Sequence, residues 1–252
     1  MGLGKTYMAL SAVDHLYRQL ENEQFNDEEI IKKPVLIVAP LSLLENWKDE
    51  VKKTFNSSPF KDIVILQSEG ELRTYKSGGV ETKQQSNEND AESSVKYSLK
   101  IGKSYGTNRL DMPSRLIITT YHTLRDYQFS LCSIDWSIVV FDEAQNIKNT
   151  TTLVAKASYL VNSDYKLALT GTPIENSIKE LFSIFKFLIP SLLPKAYASG
   201  RIKSNEQSMN AILKGLMPFI LRRTKEQVLK ELPKKIESYI YCDFEKEQES
   251  IY

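Results

Sequence analysis

The chain alternates short apolar runs with segments whose apolar residues recur at helical spacing. After Lys5, residues Met8, Ala9, Ala12, Val13, Leu16 and Leu20 share one face of a 3.6-residue period, which predicts an opening amphipathic helix. A polar stretch from Glu21 to Lys33 separates it from Val35-Leu-Ile-Val-Ala39, a continuous apolar run closed by Pro40. That is the pattern of a strand buried on both faces of a parallel sheet. Ser42 and Glu45 have the spacing of a capping box and predict a helix carrying Leu44, Trp47 and Val51 along one side. The apolar runs recur at Ile63–Leu66, Leu116–Thr119, Ile138–Phe141 and Lys166–Leu169, most followed by a helix-compatible segment. Strands alternating with helices predict an α/β fold built on a doubly wound, mostly parallel sheet.

Two stretches break the rhythm. Residues 68–112 lose the strand pattern, and from Gly78 to Ser94 the chain is rich in Gly, Ser, Gln, Asn and Glu, which predicts a flexible surface insertion. Beyond Pro190, Met209, Ile212, Leu213, Leu216 and Met217 form a helical stripe, and Thr224 with Gln227 makes a second capping box. The expected organisation is a sheet lobe over 1–189, a helical protrusion and brace over 190–232, and the start of a linker over 233–252.

Composition narrows the class without naming a partner. With 252 residues, 41% hydrophobic and 26% charged, the chain is long enough for a full core and ordinary for a globular protein. Lys plus Arg is 33 against 32 for Asp plus Glu, so a polyanionic partner needs a local patch and not a global field. Cys132 and Cys242 are far apart and outside any C-x-x-C spacing, which argues against a zinc site or a disulfide framework. No run of 18 apolar residues and no signal-peptide pattern occurs, so the expectation is a cytoplasmic protein, nucleoid-associated if bacterial and nuclear if eukaryotic, without a membrane partner.

Three motifs carry chemistry. Met1-Gly-Leu-Gly-Lys-Thr6 reads as the second half of a phosphate-binding loop. There Gly2 and Gly4 let main-chain N–H groups approach the anion, Lys5 reaches the β- and γ-phosphates, and the Thr6 hydroxyl holds Mg²⁺. Ile138-Val-Val-Phe-Asp-Glu143 delivers two acids at the C-terminal end of an apolar strand, where ligands bind in open α/β sheets. Asp142 would hold the Mg²⁺ and Glu143 would orient and deprotonate the attacking water. A strand that ends in acids merely because it meets solvent is the plain alternative, and it weakens beside the upstream Gly-Lys-Thr. In Leu169-Thr-Gly-Thr-Pro173, Thr172, Pro173 and Glu175 also satisfy an ordinary helix start, so spacing alone makes nothing catalytic there.

In this order the motifs resemble the Swi/Snf family of DNA-dependent ATPases, which are superfamily-two helicase-like motors. The matching text is Met-Gly-Leu-Gly-Lys-Thr (1–6), Ala-Pro-Leu-Ser-Leu-Leu-Glu-Asn-Trp (39–47), Thr-Thr-Tyr-His-Thr-Leu (119–124), Asp-Glu-Ala-Gln-Asn-Ile-Lys-Asn (142–149), Leu-Thr-Gly-Thr-Pro-Ile-Glu-Asn-Ser (169–177) and Phe-Ile-Leu-Arg-Arg-Thr-Lys (219–225). The resemblance implies a RecA-like ATP-binding lobe that uses ATP and Mg²⁺ and works with a second RecA-like lobe on double-stranded DNA. It implies that Pro40, Ser42, Thr120, Tyr121, Thr170, Gly171 and Thr172 face the DNA backbone, with hydroxyls and main-chain N–H groups on phosphates. It further implies that Gln145 and Thr170 couple the nucleotide to that grip. Gln145 stands where many eukaryotic members have His, a hint of a prokaryotic source. His122 reads as a structural hydrogen-bonding residue and Trp47 as core.

The resemblance also places the first half of the phosphate loop before Met1 and the arginine finger in a second lobe beyond Tyr252. Such a finger is worth about 10³ to 10⁵ in rate in related sites, so negligible turnover is expected from this polypeptide alone. An RNA or single-strand helicase lobe is the nearest alternative, but those typically carry Asp-Glu-Ala-Asp and Ser-Ala-Thr where this chain has Asp-Glu-Ala-Gln and Thr-Gly-Thr. A non-enzymatic remnant is a third reading, opposed by intact Lys5, Asp142 and Glu143.

Overall fold

The computed structural model describes residues 3–22, 33–67, 69–80, 97–172, 178–193, 212–228, 231 and 238. The chain divides into two compact units, Met1–Met217 and Pro218–Tyr252. The first is built on a five-stranded sheet in the order β2-β5-β1-β6-β7, all of whose pairings are parallel. Its strands are β1 (Val35–Val38), β2 (Asp62–Leu66), β5 (Arg115–Thr119), β6 (Trp136–Phe141) and β7 (Ser163–Ala168).

Both faces of this sheet are covered, as its sequence demands. In β1, β5 and β6 every residue is buried, so these strands are mainly apolar on both faces and do not alternate; Arg115, Thr119 and Ser137 are their buried polar members. Val35 and Ile37 of β1, with Ile118, Ile138 and Val140, meet α1 (Lys5–Asn22) and α2 (Leu44–Thr54) on one face. Leu36 and Val38, with Ile117, Val139 and Phe141, meet α4 (Tyr121–Asp126), α5 (Gln128–Cys132), α6 (Leu153–Leu160) and α7 (Ile178–Leu188) on the other. Phe141 stacks on Phe187 of α7 with centroids 4.0 Å apart, which ties that helix to β6. The sheet is doubly wound, the α/β architecture the strand pattern predicts.

Several local expectations need correction. The buried stripe of α1 is Ala9, Leu10, Val13 and Tyr17: of the predicted face, Ala9 and Val13 are buried and Leu16 packs against the same cluster, while Leu10 and Tyr17 are additions, Tyr17 at the core edge where its hydroxyl donates to the Lys33 carbonyl at 2.8 Å. The Ser42–Glu45 capping box does not form. The chain enters α2 through a 3₁₀ turn, Leu41–Leu43, closed by Leu43 N–H on the Pro40 carbonyl at 2.9 Å, and the residue preceding α2 is Leu43, which offers no side-chain cap. The Thr224–Gln227 box does form, with Thr224 N–H donating to Gln227 Oε1 at 3.0 Å and Gln227 N–H to Thr224 Oγ1 at 3.4 Å, ahead of a turn of helix at Lys225–Val228.

The insertion is also more ordered at its ends than its polarity suggests. It carries α3 (Glu69–Tyr75) and a two-stranded antiparallel ribbon, β3 (Lys76–Val80) with β4 (Tyr97–Leu99). Leu72, Leu99 and Leu110 are buried in the main core, and Arg115 clamps the returning loop through Asp62 and the carbonyls of Arg109 and Thr107. Three isolated leucines suffice to anchor what composition reads as loop. Residues 81–96 lie outside the described set, as do the Thr172–Glu175 helix start beyond Thr172 and the residues around Met209.

Candidate functional site

Because all five strands run in parallel, the segments that follow them gather on one edge of the sheet. Pro40–Ser42 follow β1, Thr120–Tyr121 follow β5, Asp142–Gln145 follow β6 and Thr170–Thr172 follow β7. That C-terminal edge is where open α/β sheets bind ligands.

At one end of this edge lies a cleft of about 540 Å³ bounded by Gly4, Lys5, Thr6 and Tyr7 of the α1 N-terminus, by α2, and by Asp142 and Glu143. Gly4 has φ +76°, a left-handed conformation suited to glycine, and the space a Cβ would fill there is open. Its carbonyl accepts from Met8 N–H at 2.9 Å, so α1 starts there with its remaining first-turn N–H groups turned toward the cleft end of the helix. Gly2 lies outside the described residues. Lys5 Nζ is 3.4 Å from Glu143 Oε1, and both side chains are partly exposed. Such a pair is worth at most about 1 kcal/mol, weak enough for a phosphate to displace.

The acids are fixed from several directions. Asp142 is buried, and both its carboxylate oxygens are engaged: Trp47 Nε1–H donates to Oδ2 at 2.9 Å and Glu143 N–H to Oδ1 at 2.9 Å. Burial pushes its carboxyl above the usual aspartate range, while the Trp47 and Glu143 hydrogen bonds pull the other way. Its carbonyl accepts from the Tyr121 hydroxyl at 2.7 Å. That phenol is driven well above its ordinary range, by burial first and then by the charges of Asp142 and Glu143, so it stays a neutral donor. Glu143 sits at φ 48°, ψ 56°, a left-handed backbone that a non-glycine residue adopts at a cost of about 1–2 kcal/mol.

From Glu143 a line of hydrogen bonds leaves the cleft. Gln145 Nε2 donates to Glu143 Oε2 at 2.8 Å, Thr170 Oγ1 donates to Gln145 Oε1 at 2.8 Å, and Thr172 N–H donates to Thr170 Oγ1 at 3.1 Å. Gly171 and Thr172 are exposed. The line runs from the Lys5 end of the cleft to the loop after β7.

Most predicted site residues therefore converge, with one correction. Thr120 and Tyr121 do follow β5 at the expected edge, but their hydroxyls are engaged within the fold and do not offer themselves to a phosphate. Thr120 Oγ1 caps α4 by accepting from Thr123 N–H at 3.0 Å, and the buried Tyr121 hydroxyl holds the Asp142 carbonyl. A polar side chain at a helix start next to a core strand caps before it recognises. His122 is exposed on α4. Ser42 is exposed and available.

Sequence reasoning missed the α2 wall of the cleft and the bond from Trp47 to Asp142. Asn46, Glu50 and Lys53 line the cleft at i, i+4 and i+7, a polar stripe beside the apolar one, and that spacing was the available signal. Nothing local links Trp47 to an acid 95 residues away. The lining as a whole carries four carboxylates, Asp49, Glu50, Asp142 and Glu143, against two ammonium groups, Lys5 and Lys53. Lys5 and the α1 N-terminus present positive charge to a phosphate, while Asp142 and Glu143 present carboxylate oxygens to a divalent cation, so the donor set suits a triphosphate that carries one.

Comparison with known proteins agrees with this arrangement. The model of the SNF2-related domain matches residues 1–252. The chain is 37% identical over 249 residues to the Zorya protein ZorD of Escherichia coli O139:H28, covering 94% of this chain and 21% of that one. It is 33% identical over 255 residues to an ATP-dependent helicase of Mycoplasma genitalium, covering 100% of this chain and 20% of the relative. Among solved structures, the Sulfolobus solfataricus SWI2/SNF2 ATPase core in complex with double-stranded DNA superposes with a TM-score of 0.60 at 30% identity, over 100% of this chain and 45% of that one. The chain thus spans about a fifth of the length of these two curated relatives. With its parallel sheet, the glycine-led start of α1 at the cleft and the paired acids on one edge, the chain belongs to the SNF2-related domain family of Swi/Snf ATPases.

Proposed function

We propose that this chain forms the ATP-binding lobe of a motor that hydrolyses ATP with Mg²⁺ to move along double-stranded DNA, in concert with a second RecA-like lobe. The observation that carries the reading is the hydrogen-bonded line Lys5–Glu143–Gln145–Thr170–Thr172. It joins a cleft suited to a nucleotide to an exposed loop on the ligand-binding edge.

In this reading the N-terminus of α1, Gly4 and Lys5 hold the phosphates, and Thr6 and Asp142 hold the cation. A cation held there would supply positive charge to the phosphate oxygens. Lys5 turns from Glu143 to the γ-phosphate, which frees one Glu143 oxygen to accept a proton from the attacking water. Gln145 keeps the other oxygen and so fixes the carboxylate toward that water. When Glu143 changes partner, Gln145 and Thr170 register the change, and the Thr170–Thr172 loop alters its contact with a DNA phosphate. Ser42 and Gly171, with Thr172 beside them, supply the exposed surface for that sequence-independent contact.

The test is steady-state ATP hydrolysis with and without duplex DNA, for the chain alone and for a longer polypeptide that joins it to a second RecA-like lobe. Duplex-stimulated turnover in the longer polypeptide, abolished by Lys5→Ala, is the expected result, with negligible turnover by the chain alone. Stimulation by RNA or single strands but not by duplex overturns the substrate.

A further inference from the structure

The two tryptophans of the chain are both buried, and their indole N–H groups end on different kinds of acceptor. Trp136 Nε1–H donates to the main-chain carbonyl of Leu131, five residues back, at 3.0 Å. That is how a core indole is ordinarily satisfied. Trp47 Nε1–H instead crosses from α2 to the end of β6 and donates to the carboxylate of Asp142 at 2.9 Å. Its ring is 1% exposed and packed within the cluster formed by α1, α2 and the sheet, so the N–H cannot swing to another partner. The indole is a donor only, with one hydrogen and no alternative tautomer.

The consequence falls on Asp142. One carboxylate oxygen is held by Trp47 and the other by Glu143 N–H, so the plane of the group is defined from two sides by donors on different elements. A hydrogen bond to an ionised acceptor is about twice as strong as a neutral one, and here it is shielded from water. The remaining lone pairs of the carboxylate are left for a ligand in the cleft that both residues line.

We propose that Trp47 is a positioning residue for the nucleotide-bound cation: through its indole N–H it sets the orientation of the Asp142 carboxylate before the cation arrives. This rests on the reading of the cleft as an ATP and Mg²⁺ site. Without the N–H, the carboxylate rotates or turns to water, and the cation meets a ligand that must first be ordered.

Two measurements on the full chain test this. The first follows the indole N–H proton resonances by NMR, assigned with Trp136→Phe. Asp142→Ala is expected to move the Trp47 resonance and leave that of Trp136 in place; an unmoved Trp47 resonance overturns the bond. The second follows equilibrium binding of a fluorescent ATP analogue with and without Mg²⁺. Trp47→Phe is expected to weaken Mg²⁺-dependent binding by roughly tenfold or more, the loss associated with a hydrogen bond to a charged group. It is expected to leave cation-free binding as it was, and to add nothing in an Asp142→Ala background. An equal loss with and without Mg²⁺, or a loss that persists in Asp142→Ala, reduces Trp47 to a packing residue and overturns the proposal. Should Trp47→Phe fail to fold, benzothienylalanine placed at 47 keeps the bicyclic shape and removes only the N–H. If the unsubstituted chain shows no Mg²⁺-dependent binding, the ATP reading of the cleft falls and this proposal with it; if the unsubstituted chain binds and the variant matches it, only the role of Trp47 falls.

Discussion

Strands β6 and β7 are neighbours of equal length, in parallel register from Trp136 beside Ser163 to Phe141 beside Ala168, yet they are built in opposite ways. All six residues of β6 are buried, and the strand is paired on both sides. None of β7 is fully buried, Asp164 and Tyr165 are exposed, and the strand lies at the end of the sheet order. The first ends in Asp142 and Glu143, the second in the Thr170–Thr172 loop. Groups whose geometry must not vary are delivered by the strand with most packing, and the loop proposed to respond is delivered by the strand with least. Local opening is cheapest where buried contacts are fewest. Gln145 spans the two, bonded to Glu143 on one side and Thr170 on the other.

Four measurements break or sharpen that contrast. Glu143→Gln keeps the shape of the side chain and removes the base. Turnover of the two-lobed polypeptide is expected to fall by about 10² to 10⁴, with ATP-analogue binding retained. Loss of binding together with turnover would place Glu143 in structure and not in chemistry. Next, Phe141→Ala at the end of β6 is expected to cost about 3–5 kcal/mol in denaturant unfolding. Tyr165→Ala, half-exposed on β7, is expected to change stability by about 0.5 kcal/mol or less. Equal costs would erase the contrast between the strands.

Thr170→Val removes the hydroxyl that bonds Gln145. The ratio of duplex-stimulated to basal hydrolysis is expected to drop by about threefold to tenfold, the value of one neutral hydrogen bond. An unchanged ratio would mean the line from Glu143 carries no signal. The smallest effect concerns Asp142 and pH. Burial raises its carboxyl above the ordinary aspartate range, so the folded state takes up a proton more readily than the unfolded chain. The stability this contributes is present at low pH and lost as pH rises through the raised value. Denaturant unfolding of the parent is therefore expected to show stability falling as pH rises through the raised value, a slope that Asp142→Asn, which cannot ionise, should lack.

The five strands of the main sheet were legible because they are apolar runs, and an apolar run needs no partner to be recognised. The start of β7 was not: Ser163, Asp164 and Tyr165 are the polar residues of an edge, and the apolar pattern begins only near Lys166. The paired acids and Gly-Lys-Thr were legible because each is a contiguous motif at an element end. What escaped was every contact between distant segments: Trp47 with Asp142, Tyr121 with the Asp142 carbonyl, and Arg115 with the loop it clamps. Thr120 and Tyr121 show how a motif can mislead. Their hydroxyls look free in sequence, and only the fold reveals what they already hold.

The left-handed backbone at Glu143 sets heat resistance against activity at a single codon. Glycine or asparagine would occupy that conformation with less strain, at the loss of the weak, partly exposed ion pair with Lys5 and of the hydrogen bond from Gln145. Relief of that strain is worth about 1–2 kcal/mol, so a selection for thermal survival alone would not preserve glutamate at 143, and under the proposed function its replacements lack the base. Under the proposed function, directed evolution of the two-lobed polypeptide would have to screen for turnover from the first round, because at this position stability does not report on activity.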